Sequence, residues 1–355
     1  MRALLKNEWT LIVVAFIASI LTGVLTFAGA NAVLIFLISA IALATLAAVV
    51  GQATEQLGSY LGPGATGIMQ ASIASMPELF VSFFALKAGL IGVVQAAIVG
   101  SILANSLLVM GLAFVFGGWK NGTQRFASER PRAIVIMMVL AVSALVVPTL
   151  ANAIHTPAGA HEEALSIACA LVLLGVFIGS IPFSLKGGSM SEAVSPAEFE
   201  EKPWSLRRAL SVLVAAGIFT AFVSDWFVRA LEPTIESWNI SQVFAGLVVV
   251  AIAGNAVENV VGIRLAIKNK MDYAISIVMN SSLQVALALT PILVLLSYFF
   301  TPVALTLVLP PLLVVALALA AILSALIVYD GESNWLEGLA LIGLYIMIAI
   351  SFWWG

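Results

Sequence analysis

The stretch AIAGNAVENVVGIRLAIKNKMD, residues 251–272, decides how the chain is read. Glu258 stands there alone: no charge occurs from Ser237 through Val257, and the next charge after it is Arg264. An ionisable group at membrane depth is costly, so it is a functional candidate by default. Counting back 180 residues places Glu258 on Glu78, a second lone acid, between Glu55 and Lys87. The same offset sets Ser281 on Ser101, Leu283 on Leu103 and Pro311 on Pro131. One offset shared by two isolated acids and the polar helices after them points to an internal duplication.

The surroundings of these acids are those of a polytopic membrane protein. The 355 residues are 62% hydrophobic and 9% charged, with a mean hydropathy of +1.13, whereas soluble domains carry about a quarter charged residues. Uncharged runs at 9–54, 88–119, 133–154, 164–185 and 273–329 are each long enough for one span or more. No basic patch with interleaved aromatics suggests nucleic acid. No nucleophile–base pair or metal-hydrolase spacing suggests an enzyme. Cys169 is the sole cysteine and lies in an apolar run, which excludes a disulfide and a thiol metal site. His155 and His161 share one short polar connection and read as solvated loop residues. The N-terminal MRALLKNEW and Ala28-Gly29-Ala30 mimic a secretory signal, but the apolar stretch is longer than a signal core and is expected to remain as a first helix.

Reading apolar runs against turn signals gives spans near 9–27, 31–58, 64–87, 89–118, 131–151, 162–184, 205–231, 241–268, 272–299, 303–329 and 334–354. The fold class expected is an all-α integral membrane protein of about eleven transmembrane helices. Charge tests that count. With the N-terminus cytoplasmic, 13 of the 15 Lys and Arg fall inside, and only Lys87 and Arg229 fall outside. The C-terminus is then outside. The division expected is a first helix over 1–30, a five-helix repeat over 31–185, an acidic cytoplasmic linker over 186–204 and a second repeat over 205–355. Because five is odd, the second set runs through the membrane in the opposite sense, giving an inverted repeat.

The chemistry-bearing residues cluster around the two acids. Pro77 precedes Glu78 and frees the carbonyl of Ile73, while Gly254 loosens the helix before Glu258. Ser75 and Asn255 each lie three residues before their glutamate and share its helix face. The next helices add Ser101 and Asn105, and Asn280, Ser281, Ser282 and Gln284. Two carboxylates with hydroxyl, amide and carbonyl oxygens make a cage suited to hard cations such as Ca²⁺ or Na⁺. Glu78 and Glu258 are its candidate metal ligands. Ser75, Asn255, Ser101, Asn105, Ser281, Ser282 and Gln284 complete the expected cation- and proton-binding set.

The segments GQATEQLGSYLGPGATGIMQASI (51–73), GNAVENV (254–260), SSLQVAL (281–287) and DGESNWLEG (330–338) together resemble the calcium/proton exchanger family of the calcium/cation antiporter superfamily. The likeness runs in order from about Leu46 to the end. It implies eleven spans, ten of them in two inverted five-helix repeats, and one essential glutamate per repeat, matched here by Glu78 and Glu258. Ala74-Ser75-Met76-Pro77-Glu78 departs from the family's glycine-asparagine-x-x-glutamate and is similar to the sodium/calcium exchanger branch. Asn259 replaces a frequent histidine, and Asn280-Ser281-Ser282 replaces Gly-Ser-Ser.

The function expected is antiport of cytoplasmic Ca²⁺, or a related cation, against protons by alternating access at a two-glutamate mid-membrane site. The alternative keeps the fold and couples to sodium, as Na⁺/Ca²⁺ or Na⁺/H⁺ exchange, and a cation channel stands further off. No cofactor is expected beyond the transported Ca²⁺ and H⁺, with Na⁺ as the alternative ion. The partners expected are small inorganic cations and the lipid bilayer, with self-association into a homo-oligomer left open. A prokaryotic inner membrane is the expected location.

Overall fold

The computed structural model describes residues 8–61, 73, 75–126, 129–186 and 204–354. The expected linker therefore lies outside the described residues, apart from Lys186 and Trp204. The elements are almost all helical: α1 (Glu8–Phe27), α2 (Ala32–Leu61), α3 (Met76–Lys87), α4 (Ile91–Asn121), α5 (Glu129–Ala153), α6 (Glu162–Lys186) and α7 (Leu206–Trp238). They continue with α8 (Gln242–Gly254), α9 (Ala256–Ile267), α10 (Met271–Phe300), α11 (Pro311–Tyr329) and α12 (Trp335–Ser351). Two short strands, β1 (Gln124–Arg125) and β2 (Glu332–Ser333), pair antiparallel. Among the described residues eight helices are long and apolar enough to cross a membrane, or nine if α8 and α9 form one span bent by 65°. Helix α12 is shorter, and the expected span 64–87 is described only as α3.

The 180-residue offset reappears in the backbone. Helices α3 and α9 begin at Met76 and Ala256 and end at Lys87 and Ile267. Each follows a residue in the bridge region of φ/ψ space: Ser75 at φ −82°, ψ 10° and Asn255 at φ −100°, ψ 16°. Each is followed by a left-handed turn residue, Gly89 at φ 80° and Asn269 at φ 60°. Helices α4 and α10 then start at Ile91 and Met271, and both carry a π-turn, Ala104–Val109 and Val285–Leu289. π-turns are rare and gather at functional sites.

The helices form two compact units, Met1–Ala88 with Ile178–Asn239, and Gly89–Phe177 with Ile240–Gly355. In the first, α7 lies along α2 and against α3. Phe36 stacks on Phe227 and Phe16 meets Phe219 edge-on, both at 4.8 Å between ring centres. After the linker the chain is held at Trp204, whose N–H donates to Gln56 Oε1 at 2.9 Å and whose carbonyl accepts from the Tyr60 hydroxyl.

In the second unit α4 crosses the π-turn of α8 (Ala245–Val250) at two glycines. A Cβ on Gly100 would lie 2.3 Å from the Leu247 carbonyl oxygen, and one on Gly246 2.3 Å from that of Val93. Only bare backbone permits this approach, the usual reason for small residues where membrane helices cross.

One expected span begins late. The run 303–329 reads as a single helix by hydropathy, but Thr301–Pro310 is irregular and α11 starts at Pro311. The Pro310-Pro311 pair explains this, since a residue before proline is pushed out of the α region and Pro310 sits at φ −50°, ψ 131°. Non-helical backbone survives in apolar surroundings only where protein satisfies it. Here Leu305, Leu307 and Leu309 are buried, and their N–H groups donate to Ser297 Oγ, Ser166 Oγ and Thr149 Oγ1 at 2.8, 2.9 and 2.8 Å. Gln95 Nε2 donates to the carbonyls of Thr306 and Val308 at 3.1 and 3.0 Å. Thr149 also donates to the Leu307 carbonyl at 3.1 Å, so one hydroxyl serves the strap twice.

Removing that hydroxyl leaves a buried N–H unpartnered, at a cost of about 1–3 kcal/mol. Thr149→Val is therefore expected to lower unfolding stability by that amount in detergent, while Thr149→Ser retains most of it. Unchanged unfolding of Thr149→Val contradicts the strap's dependence on this side chain.

Candidate functional site

The candidate residues divide between the units. Ser75 and Glu78 belong to the first. Both are half-buried; Glu78 stands in the first turn of α3 directly after Pro77. Glu258 holds the matching place in the first turn of α9 in the second unit. The positive end of a helix dipole favours an anion by about 0.3–1 kcal/mol. The two breaks thus place each carboxylate at the start of a helix.

The second unit brings Ser101, Asn105, Asn255 and Ser281 into one directional network. The Ala251 carbonyl can only accept, so it fixes the Asn255 amide with Nδ2 toward it at 3.0 Å. Nδ2 also donates to Ser101 Oγ at 3.0 Å. Asn255 Oδ1 then faces the other way and accepts from Asn105 Nδ2 at 3.1 Å and from Ser281 Oγ at 3.3 Å. Asn105 Nδ2 donates to Ser281 Oγ as well, at 3.1 Å. Both donors of Asn105 are consumed. Its Oδ1 is left buried without a hydrogen-bond partner among the described residues, and so is Glu258 Oε2.

Ser282 packs beside this network at 3.2 Å from Ser106 Oγ. Ser106 was not among the residues singled out by spacing, because in a regular helix it lies a wide angle from Asn105. The π-turn that contains both residues buries both. Gln284 is half-buried on α10 and takes no part in these bonds. Among the described residues no three His, Cys, Asp or Glu side chains cluster. A passing cation would meet one carboxylate and neutral oxygens in this unit, a hard-donor set.

With this geometry in place, comparison with known proteins is direct. Residues 31–186 and 208–354 match the family described as sodium/calcium exchanger protein. The chain belongs to that family. A Ca²⁺/H⁺ antiporter of Aphanothece halophytica is 37% identical over 336 residues, covering 90% of this chain and 89% of the relative. The Ca²⁺/H⁺ antiporter ChaA of Bacillus subtilis (strain 168) is 36% identical over 324 residues, covering 90% and 91%. Among solved structures, native YfkE superposes with a TM-score of 0.81 at 32% identity, covering 97% of this chain and 99% of that one. The sodium-calcium exchanger NCX_Mj shares the fold at a TM-score of 0.57 and 20% identity, covering 89% and 96%. The family match falls in two segments on either side of the linker, each containing one of the lone acids.

Asn255 joins the network to the break that carries Glu258. Asn255→Ala would strip partners from Asn105, Ser281 and Ser101 at once. It is expected to weaken cation binding by roughly tenfold, the equivalent of one or two buried hydrogen bonds. Calorimetric titration of the purified protein with Ca²⁺ checks this, and a wild-type affinity contradicts it.

Proposed function

We propose that the chain is a Ca²⁺/H⁺ antiporter of the calcium/cation antiporter superfamily, with Glu78 and Glu258 as the exchanging carboxylates. The carrying observation is the pair of matched helix breaks at Ser75 and Asn255, each setting a glutamate in the first turn of the helix that follows. The relatives at 36–37% identity, named Ca²⁺/H⁺ antiporters, support the ion pair. The likeness to NCX_Mj at 20% identity bears on the fold alone, so sodium coupling is not favoured.

The coupling follows from charge. Two carboxylates take up either one divalent cation or two protons, and both loaded states are nearly neutral. The doubly charged empty state is strongly disfavoured in low dielectric. Change of access while loaded then exchanges one Ca²⁺ for protons, and change of access while empty is suppressed. Ser75, Ser101, Asn105, Asn255, Ser281, Ser282 and Gln284 supply neutral oxygens that favour the cation once the carboxylates are ionised.

The repeats, in this reading, are inverted: one over 31–185 and the other over 205–355, joined by the linker 186–204, with the N-terminus cytoplasmic and the C-terminus outside. The matched backbone features at 180 residues and the two-segment family match support the duplication. The distribution of Lys and Arg supports the orientation.

Glu78→Gln and Glu258→Gln keep side-chain volume and lose the ionisable group. Each is expected to abolish pH-driven Ca²⁺ movement in proteoliposomes, while Glu198→Gln in the linker retains it. Wild-type rate and coupling in either core variant contradict the assignment.

A further inference from the structure

Ser106 is buried in the second unit and has no part in the exchange reading. Its Oγ lies 3.2 Å from Ser282 Oγ, and the two residues are 1% and 0% exposed. Ser282 Oγ donates its one proton to the Val278 carbonyl at 3.4 Å. Ser106 is therefore the donor between the two hydroxyls, and its proton is committed to Ser282.

This bond stands beside a second one of the same span. Asn105 Nδ2 donates to Ser281 Oγ at 3.1 Å, so residues 105 and 106 of α4 meet residues 281 and 282 of α10 as two adjacent rungs. Neighbouring residues of a regular helix point about 100° apart, so such a pair is eased by a widened turn. Helix α4 has one there: the Met110 N–H reaches the Asn105 carbonyl five residues back, inside the π-turn Ala104–Val109. One rung alone would let that turn roll about the axis of α4. Two rungs fix it.

The rungs hold still the oxygen that the site leaves open. Both donors of Asn105 are spent, and its buried Oδ1 has no hydrogen-bond partner among the described residues. The bond from Ser282 ends at Val278, and Val278 with Val109 seats α9. A Cβ on Gly262 would lie 2.8 Å from Val278 Cγ2 and 3.7 Å from Val109 Cγ1. Gly262 stands one turn after Glu258 on that helix. The Ser106 rung thus bears on the open amide oxygen and on the helix that carries the carboxylate.

We infer that Ser106 is a positioning residue for the cation: through Ser282 it locks the π-turn, keeps Asn105 Oδ1 at a fixed place and so sets the size of ion accepted. The inference rests on the antiport reading and adds to it the side chain that governs discrimination among divalent cations. A stiff set of oxygens discriminates by ion radius, while a loose set adapts to a larger ion. Without the rung the π-turn is free to relax toward regular helix, which swings neighbouring side chains by up to about 100°.

Calorimetric titration of the full chain in detergent, with Ca²⁺ and separately with Ba²⁺, tests this. Ser106→Ala is expected to weaken Ca²⁺ binding severalfold and Ba²⁺ binding less, narrowing the ratio of the two affinities. The double variant Ser106→Ala/Ser282→Ala is expected to lose no more than Ser282→Ala alone, since either change removes the rung; additive losses overturn the shared bond. Ser106→Cys keeps a weak donor and is expected to fall between wild type and Ser106→Ala. It decides the matter if Ser106→Ala does not fold. An unchanged ratio of Ca²⁺ to Ba²⁺ affinity in the folded variants overturns the inference. A wild-type protein that binds no Ca²⁺, or ignores a pH gradient in proteoliposomes, overturns the antiport reading itself.

Discussion

In an apolar medium each backbone N–H and C=O must find its partner within the protein, and this constraint shapes the helix breaks and the strap among the described residues. A carboxylate needs a polar setting to be useful, and breaking a helix is the cheapest way to make one. The breaks at Ser75 and Asn255 expose helix starts to Glu78 and Glu258. At the second break the Asn255 side chain takes up the Ala251 carbonyl and ties the neighbouring polar residues into one network. The Thr301–Pro310 strap obeys the same rule with different residues, its backbone served by Gln95, Thr149, Ser166 and Ser297.

The 180-residue offset gives these local solutions a common plan, and the two stretches differ in how they finish. The loop after α4 crosses to the end of α11, where Gln124 and Arg125 pair with Ser333 and Glu332 and an exposed Arg125–Glu332 ion pair closes at 2.9 Å. The loop after α10 crosses to the end of α5, where Thr149 receives it. The first closure joins strand pairing and a surface ion pair to buried Gln124, whose Nε2 donates to the Ala266 carbonyl at 2.9 Å and to Asn269 Oδ1 at 2.8 Å, and the second is a set of side-chain hydrogen bonds to the strap backbone. Exposed ion pairs contribute little, about 0–1 kcal/mol, so the buried hydrogen bonds hold both ends.

Much of this was legible in the sequence because charge and amide groups are rare in apolar runs. Glu258 and Glu78 stand out by isolation, and the shared offset ties Ser101 to Ser281. That same reading gathered Asn105 and Asn255, which the structure places within hydrogen-bonding distance. Ser106 was hidden by the π-turn, since helical spacing assumes a regular period. The strap was read as part of a span because hydropathy counts apolar residues without asking whether the backbone can be helical. Pro302 and Pro310-Pro311 were the available signal. Which helices pack together was not legible at all: each compact unit draws on both sides of the linker, and an apolar face does not name its neighbour.

The central claim is that protons, exchanged at carboxylates, drive the cation. Ca²⁺ movement in sodium-free vesicles under an imposed pH gradient tests it most directly. The account predicts movement that follows the gradient and collapses with a proton-exchanging ionophore. Movement that appears only when a Na⁺ gradient replaces the pH gradient would contradict it.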